Sequence, residues 1–363
     1  MEYNEDLSTV KINRLWRYLY IYYGFLLSEH TCCFAVFVTV HILANAADAV
    51  LRAIPIFNNV SVITLCNLFS VLVYWIQACV CTIVLRKKRY QFSHYLNQLL
   101  KMINVVYKKR AWISLQRLMI FTFISLISSF LTEMIFFISF NDFSSSFNAI
   151  VIIANWLTIL ILNEIAKILF IYFCVLIILN FECLMTKVEN ATVFFSSLTK
   201  RKLFNYQHQF YKILQRLDDV NKLFNPLLAA WITGDIIYIC LSLRIAINSI
   251  SEFSFVTLYT VRTLVVLLII YYYAARVNEK ARATAVVITV LTDLQQNNHS
   301  PKMTYSSSSH VHVDNWKDRM FIQHLSLDST GIDVSGYFII TKGSILTFIG
   351  TLLTYVVLLL QTK

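Results

Sequence analysis

The groups with chemistry to offer in this 363-residue chain lie where their surroundings are least polar. Its last twenty residues, Ser344 to Lys363, begin with eighteen that carry no charge, ending at Gln361. At about 1.5 Å rise per residue, such a run is just long enough to cross a hydrocarbon core of roughly 30 Å. Within it Ser344, Thr347, Thr351, Thr354 and Gln361 recur at spacings of three, four, three and seven. All five therefore share one helical face, and Leu358 fills the gap in the stripe. Small hydroxyls on one face pack membrane helices together, and they equally suit a water-filled path. Other apolar runs carry Glu133, Glu164, Lys167, Asp235, Arg244 and Arg262. Charge within a bilayer is expensive, so such residues pair inside the bundle, snorkel to its ends, or serve a function. Glu164 and Lys167, three apart, can pair along one helix. No nucleophile–base pair, phosphate-binding glycine loop or metal-ligand spacing is present, so no enzyme, metal site or cofactor is expected.

These groups need helices long enough to hold them in lipid. The chain is 58% hydrophobic and 14% charged, with mean hydropathy +0.63. Soluble domains rarely exceed about half apolar residues. A polytopic all-α membrane protein is expected, each span satisfying its own backbone hydrogen bonds. Three prolines and six glycines leave few breaks, and Gly331, Gly336, Gly343 and Gly350 put any deliberate break just before or inside the final span. Seven spans are predicted, at about 31–51, 60–85, 113–140, 149–179, 227–250, 257–275 and 344–361. The eight cysteines lie almost entirely in apolar runs, so no disulfide framework is expected.

Charge sets the orientation. Three Lys and Arg precede the first span, and eight, seven and seven fall between spans two and three, four and five, and six and seven. The opposite side holds Arg52 and Lys363. The positive-inside rule then places the N-terminus in the cytoplasm and the C-terminus outside. The net charge of +11 is thereby a topology signal and does not imply a nucleic-acid surface. Residues 1–30 form the cytoplasmic N-terminus, basic and aromatic as at a lipid interface. Residues 31–275 hold spans one to six, 276–343 an intracellular loop, 344–361 the last span, and 362–363 an outer tail. Helical periodicity at 98–110 and 206–224 carries the spans on into the cytoplasm. The polar patch at 295–310 reads as disordered, and a helix resumes at 313–327.

Toward the predicted outer side lie Tyr74, Trp75, Phe137, Asn155, Trp156, Asn163 and Tyr259, near Glu133 and Arg262. An aromatic wall with a few amides and charges suits a small organic ligand, and the same aromatics serve as interface anchors. Asn59-Val60-Ser61 is a glycosylation sequon on a predicted outside loop.

Thr354-Tyr355, five apolar residues and Gln361 resemble the TYhhhhhQ signature of the insect gustatory receptors, h being any apolar residue. Ser335-Gly336-Tyr337-Phe338 resembles the small-glycine-aromatic lead-in to the last span of that family. Thr362 departs from it, where the family usually carries Phe, and the serine-rich patch is an addition. The resemblance implies a tetrameric, ligand-gated, non-selective cation channel related to insect odorant receptors, in the plasma membrane of chemosensory neurons. It implies a pore lined by the last span, with Gln361 at the pore glutamine and Leu358 at the apolar gate. It further implies a cytoplasmic anchor joining four subunits, other gustatory receptor subunits as possible partners, and a tastant pocket among spans two to six. No match to the sugar or carbon-dioxide branches is evident, so a bitter-type or orphan receptor is the default. A G-protein-coupled receptor would require the opposite orientation, and a secondary transporter would show an internal repeat.

Overall fold

The computed structural model describes residues 62–140, 146–193, 200–248, 253–298 and 331–361. The first expected span, the sequon at Asn59, the 313–327 helix and the side chains of Glu133, Phe137, Asn155 and Trp156 lie outside the described residues.

Long apolar runs with few glycines and prolines become long helices. These are α1 (Val62–Lys87), α2 (Arg89–Met102), α3 (Val105–Phe140), α4 (Ser146–Val193), α5 (Lys200–Asn248), α6 (Phe253–Asn298) and α7 (Lys342–Gln361). A small hairpin of β1 (Asp333–Val334) and β2 (Phe338–Ile339) precedes α7. Six of the described helices are long and apolar enough to cross a membrane. At 48, 49 and 46 residues, α4, α5 and α6 far exceed what a bilayer needs, since about twenty residues suffice.

Several boundaries differ from expectation. Residue 276, the expected start of a loop, lies inside α6, because no Gly or Pro interrupts 253–298. The patch expected to be disordered from 295 is helical as far as Asn298. As expected, the segment 206–224 runs on into the fifth span, in one helix with Pro226 inside it. The segment 98–110 is broken where Ile103 turns extended (φ −92°, ψ 149°), and Asn104 Oδ1 accepts the Tyr107 N–H at 3.2 Å to start α3. The glycine-rich stretch before the last span does form a break. A turn closed by Tyr337 N–H to Val334 O at 2.9 Å puts Ser335 (φ 51°) and Gly336 (φ 77°) in the left-handed region, where glycine carries no Cβ penalty. Thr341 then caps α7 reciprocally with Ser344, each backbone N–H meeting the other's hydroxyl at 3.2–3.3 Å.

The helices pack as a continuous bundle: α1 along α5, α5 along α6, α6 along α4, and α4 along α3. α4 is its axis, with 89% of Leu162–Ala191 buried; α7 is its outlier, with 11% buried. Where α2, α4 and α5 meet, edge-on rings make a knot. Phe224 lies 5.2 Å from both Phe92 and Phe170 and 5.5 Å from Phe173, and Phe170 continues to Trp231 at 6.3 Å. Phe224 is fully buried at the hub, and α2 adds Leu96, Leu99 and Leu100 around it. Phe224→Ala should destabilise the bundle by about 3–5 kcal/mol, as deletion of a buried ring does. The thermal unfolding midpoint of purified protein reads this, and a midpoint like the wild type's would show that the knot does not hold the three helices together.

Candidate functional site

In a medium without water, each buried polar side chain needs a protein partner. The partners here build one cluster across five helices. Lys167 Nζ (α4) donates to Asp235 Oδ2 (α5) at 2.8 Å, with both side chains almost wholly buried. Gln77 Nε2 (α1) donates to the other carboxylate oxygen at 2.9 Å. Arg262 (α6) pairs with Glu164 (α4) at 3.2 Å, and its Nε donates to Ser125 Oγ (α3) at 2.8 Å. Two cations and two carboxylates balance. Glu164 and Lys167 therefore do not pair along α4: each finds its partner on a neighbouring helix. Three residues of helical spacing bring two side chains near one another, but opposing helices offered charges that face them directly.

Around this core the expected ligand-site residues divide. Tyr74 is buried, shares a 2.6 Å hydrogen bond with Thr263 Oγ1, and meets Tyr238 edge-on at 4.6 Å. Asn163 is fully buried; its Nδ2 donates to Tyr74 O at 3.3 Å and its Oδ1 accepts Cys81 Sγ at 3.5 Å. Cys81 accepts the Trp231 indole N–H at 3.1 Å. Tyr259 is buried one helical turn from Arg262, within its electrostatic reach. Tyr74, Asn163, Tyr259 and Arg262 thus converge on one polar cluster, whereas Trp75 is buried in the apolar core.

Sequence reasoning missed Gln77 and Gly234. Gln77 is 1% exposed, and its Oε1 has no donor among the described residues. A Cβ on Gly234 would run into the Gln77 side-chain amide, so glycine is what lets α1 approach α5 here. A glutamine inside an uncharged run was the one available signal.

The expected pore stripe lies on α7. Thr347, Thr351 and Thr354 are exposed, and each hydroxyl donates to the carbonyl four residues back, at 3.1, 2.9 and 2.9 Å. Gln361 is exposed and Leu358 is 53% exposed. The seam with α5 and α6 is one residue further round: Phe348 stacks on Tyr271 at 5.6 Å, Leu359 is buried, and Tyr355 donates its hydroxyl to Cys240 O at 3.3 Å. Of the signature residues, Tyr355 faces the bundle while Thr354 and Gln361 face away from it.

This arrangement of helices has a solved counterpart. The insect olfactory receptor OR5 from Machilis hrabei superposes with a TM-score of 0.71 at 15% identity, covering 98% of this chain and 99% of that one. The chain shares the fold of an insect olfactory receptor. The same receptor in complex with eugenol superposes with a TM-score of 0.68 at 15% identity, covering 93% of this chain and 92% of that one. No protein-family model and no curated protein sequence matches the chain.

Removing one partner of a buried ion pair strands the other charge, at about 3–5 kcal/mol. Lys167→Met and Asp235→Leu should each sharply lower the yield of folded protein, and the double variant should recover most of it. Size-exclusion profiles of the three variants measure this; a double variant no better than its parents would mean the charges act independently. Gly234→Ala should displace Gln77 and lower the thermal midpoint by several degrees, with Gln77→Ala in the same chain relieving much of that loss. A Gly234→Ala protein with an unchanged midpoint would exclude the close approach.

Proposed function

We propose that the chain is a subunit of a ligand-gated, non-selective cation channel that serves as a gustatory receptor for a bitter-type or orphan tastant. The observation that carries this reading is α7. Its twenty residues are only 11% buried within their own chain, yet the exposed side holds Thr347, Thr351, Thr354 and Gln361. A helix facing lipid gains nothing from such a stripe. Four copies around an axis give it a wet lumen, bury the apolar remainder against neighbours, and bring Leu358 into a narrow ring three residues from the Gln361 mouth. In this arrangement Leu358 is the closed-state constriction, dewetting the path when its four copies meet.

The positive-inside count supports a cytoplasmic N-terminus and an outer C-terminus in the plasma membrane of a chemosensory neuron. The extensions of α3 to α6 then reach into the cytoplasm with α2 and form the anchor that holds four subunits, either identical or shared with other gustatory receptor chains. A tastant enters from outside toward Tyr74, Asn163, Tyr259 and Arg262, with Trp75 on α1, Glu133 and Phe137 on α3, and Asn155 and Trp156 on α4 as further candidates. The eugenol-bound receptor of the same fold supports a small-molecule ligand of this kind. Asn59, next to the second span, is the candidate glycosylation position.

Whole-cell recording of the expressed chain, alone and with co-expressed receptor chains, tests the pore. Leu358→Ala should raise resting leak several-fold, and Gln361→Ala should alter relative cation permeability at equal surface expression. Wild-type leak, conductance and selectivity in both variants would remove α7 from the conducting path.

A further inference from the structure

Proline has no backbone N–H, so Pro226 leaves the carbonyl four residues back, that of Lys222, without its helical donor. A carbonyl freed in this way is met either by water or by a donor from a neighbouring element. Here the donor comes from another helix. Lys88 Nζ donates to Lys222 O at 2.5 Å and reaches Leu223 O at 3.4 Å. Lys88 is the single turn residue between α1 and α2. Among the described residues no carboxylate pairs with it, and burial together with the neighbouring Lys87 charge draws its pKa below the usual lysine value. The half-buried Lys88 ammonium meets two backbone carbonyls, which places it for hydrogen bonding and not for charge pairing.

The same turn of α5 holds the lead-in to α7. Asn221 Nδ2 donates to Gly331 O at 2.9 Å and Ser335 Oγ donates to Asn225 O at 3.2 Å, and the Asn225 amide, with its nitrogen turned toward Asp333 O, donates there as well. Ile332, Val334 and Ile340 are buried beneath these bonds, and Ile340 N–H closes on Ile332 O at 2.9 Å just before the α7 cap. One turn of α5 therefore meets the α1–α2 junction on one side and the α7 lead-in on another.

We infer that Lys88 is a positioning residue whose ammonium stands in for the amide that Pro226 lacks, tying the α1–α2 junction, α5 and the α7 lead-in into one joint. Only the use of this joint in gating rests on the channel reading above. A lysine that merely rests on the nearest carbonyls would contribute the same with or without the proline, so the two readings separate in a double-variant cycle.

The test is hydrogen–deuterium exchange of the purified full chain. Lys88→Met should speed exchange about tenfold in peptides covering 222–232 and 331–345, and Lys88→Arg, which keeps a donor, should stay near wild type. In a Pro226→Ala background the restored amide bonds Lys222 O itself, so adding Lys88→Met should change neither region. The inference is overturned if Lys88→Met leaves exchange unchanged, if its effect is equally large in the Pro226→Ala background, or if it stops at α5 without reaching 331–345. Should Lys88→Met alone fail to fold, the Lys88→Met/Pro226→Ala chain is expected to recover folded yield, and its failure to do so also overturns the inference. Resting current is recorded separately. A wild-type chain without current would remove the channel reading and leave the exchange result standing.

Discussion

Lys167 and Asp235 face one another at 2.8 Å where neither reaches water, and the register of the bundle depends on that contact. A buried ion pair adds little net stability over a well-packed apolar equivalent, but an unpaired partner is severely penalised. Its consequence is therefore geometric. Sliding α4 against α5 by one residue, about 1.5 Å, would break the bond and strand two charges. Gln77 extends the same constraint to α1 through the second carboxylate oxygen, and Glu164 with Arg262 and Ser125 extends it to α6 and α3. Apolar side chains tolerate many registers in lipid because lipid and Leu are equally greasy. A few polar groups spaced across five helices remove that freedom.

The helices also have to serve two environments. From Ile168 to Leu179 α4 is apolar and buried around its whole circumference, which is how a helix without an amphipathic stripe becomes the axis of a bundle. Beyond the length a bilayer needs, charges appear and pair across helices, as when Glu182 on α4 meets Lys280 on α6 at 3.1 Å and Arg276 at 3.8 Å. α2 joins the bundle at this end alone, burying Phe92, Leu96, Leu99 and Leu100 on one face. The aromatic knot around Phe224 sits where α2, α4 and α5 converge, close to Pro226. The proline is thus flanked by dense packing on one side and by the α7 lead-in on the other.

Much of this was legible in the sequence, for a physical reason: apolar runs of bilayer length with few charges leave a chain little choice but helix, and six such helices are present among the described residues. The break before the last helix was legible too, because glycine at position 336 suits the left-handed turn found there. What escaped depends on which faces oppose one another. Lys167 pairs with a residue 68 positions away and not with Glu164 three away, and no local pattern states which neighbour's charge will face it. The extension of α6 past residue 276 lies in the expected intracellular loop, and no Gly or Pro there ends the helix before Asn298. Gln77 and Gly234 were overlooked because their roles exist only at the crossing of α1 and α5. Of the candidate ligand residues, Tyr74, Asn163, Tyr259 and Arg262 share the polar cluster; Trp75 is buried in the apolar core.

The attachment of α7 differs in kind from everything else in the bundle. Among the described residues it meets the bundle through a ring stack at Phe348, a hydroxyl at Tyr355, buried Leu359, an exposed ion pair between Lys342 and Glu279, and a few half-buried aliphatics. Bonds of these types contribute about 1 kcal/mol or less each. The hairpin beneath α7 is fastened more firmly, through buried Ile332, Val334 and Ile340 and three hydrogen bonds to one turn of α5. A helix anchored strongly at its base and weakly along its length can lean without disturbing the core. Its Tyr355 hydroxyl, bonded to the Cys240 carbonyl of α5 at 3.3 Å, is a contact that such leaning would break first at little cost.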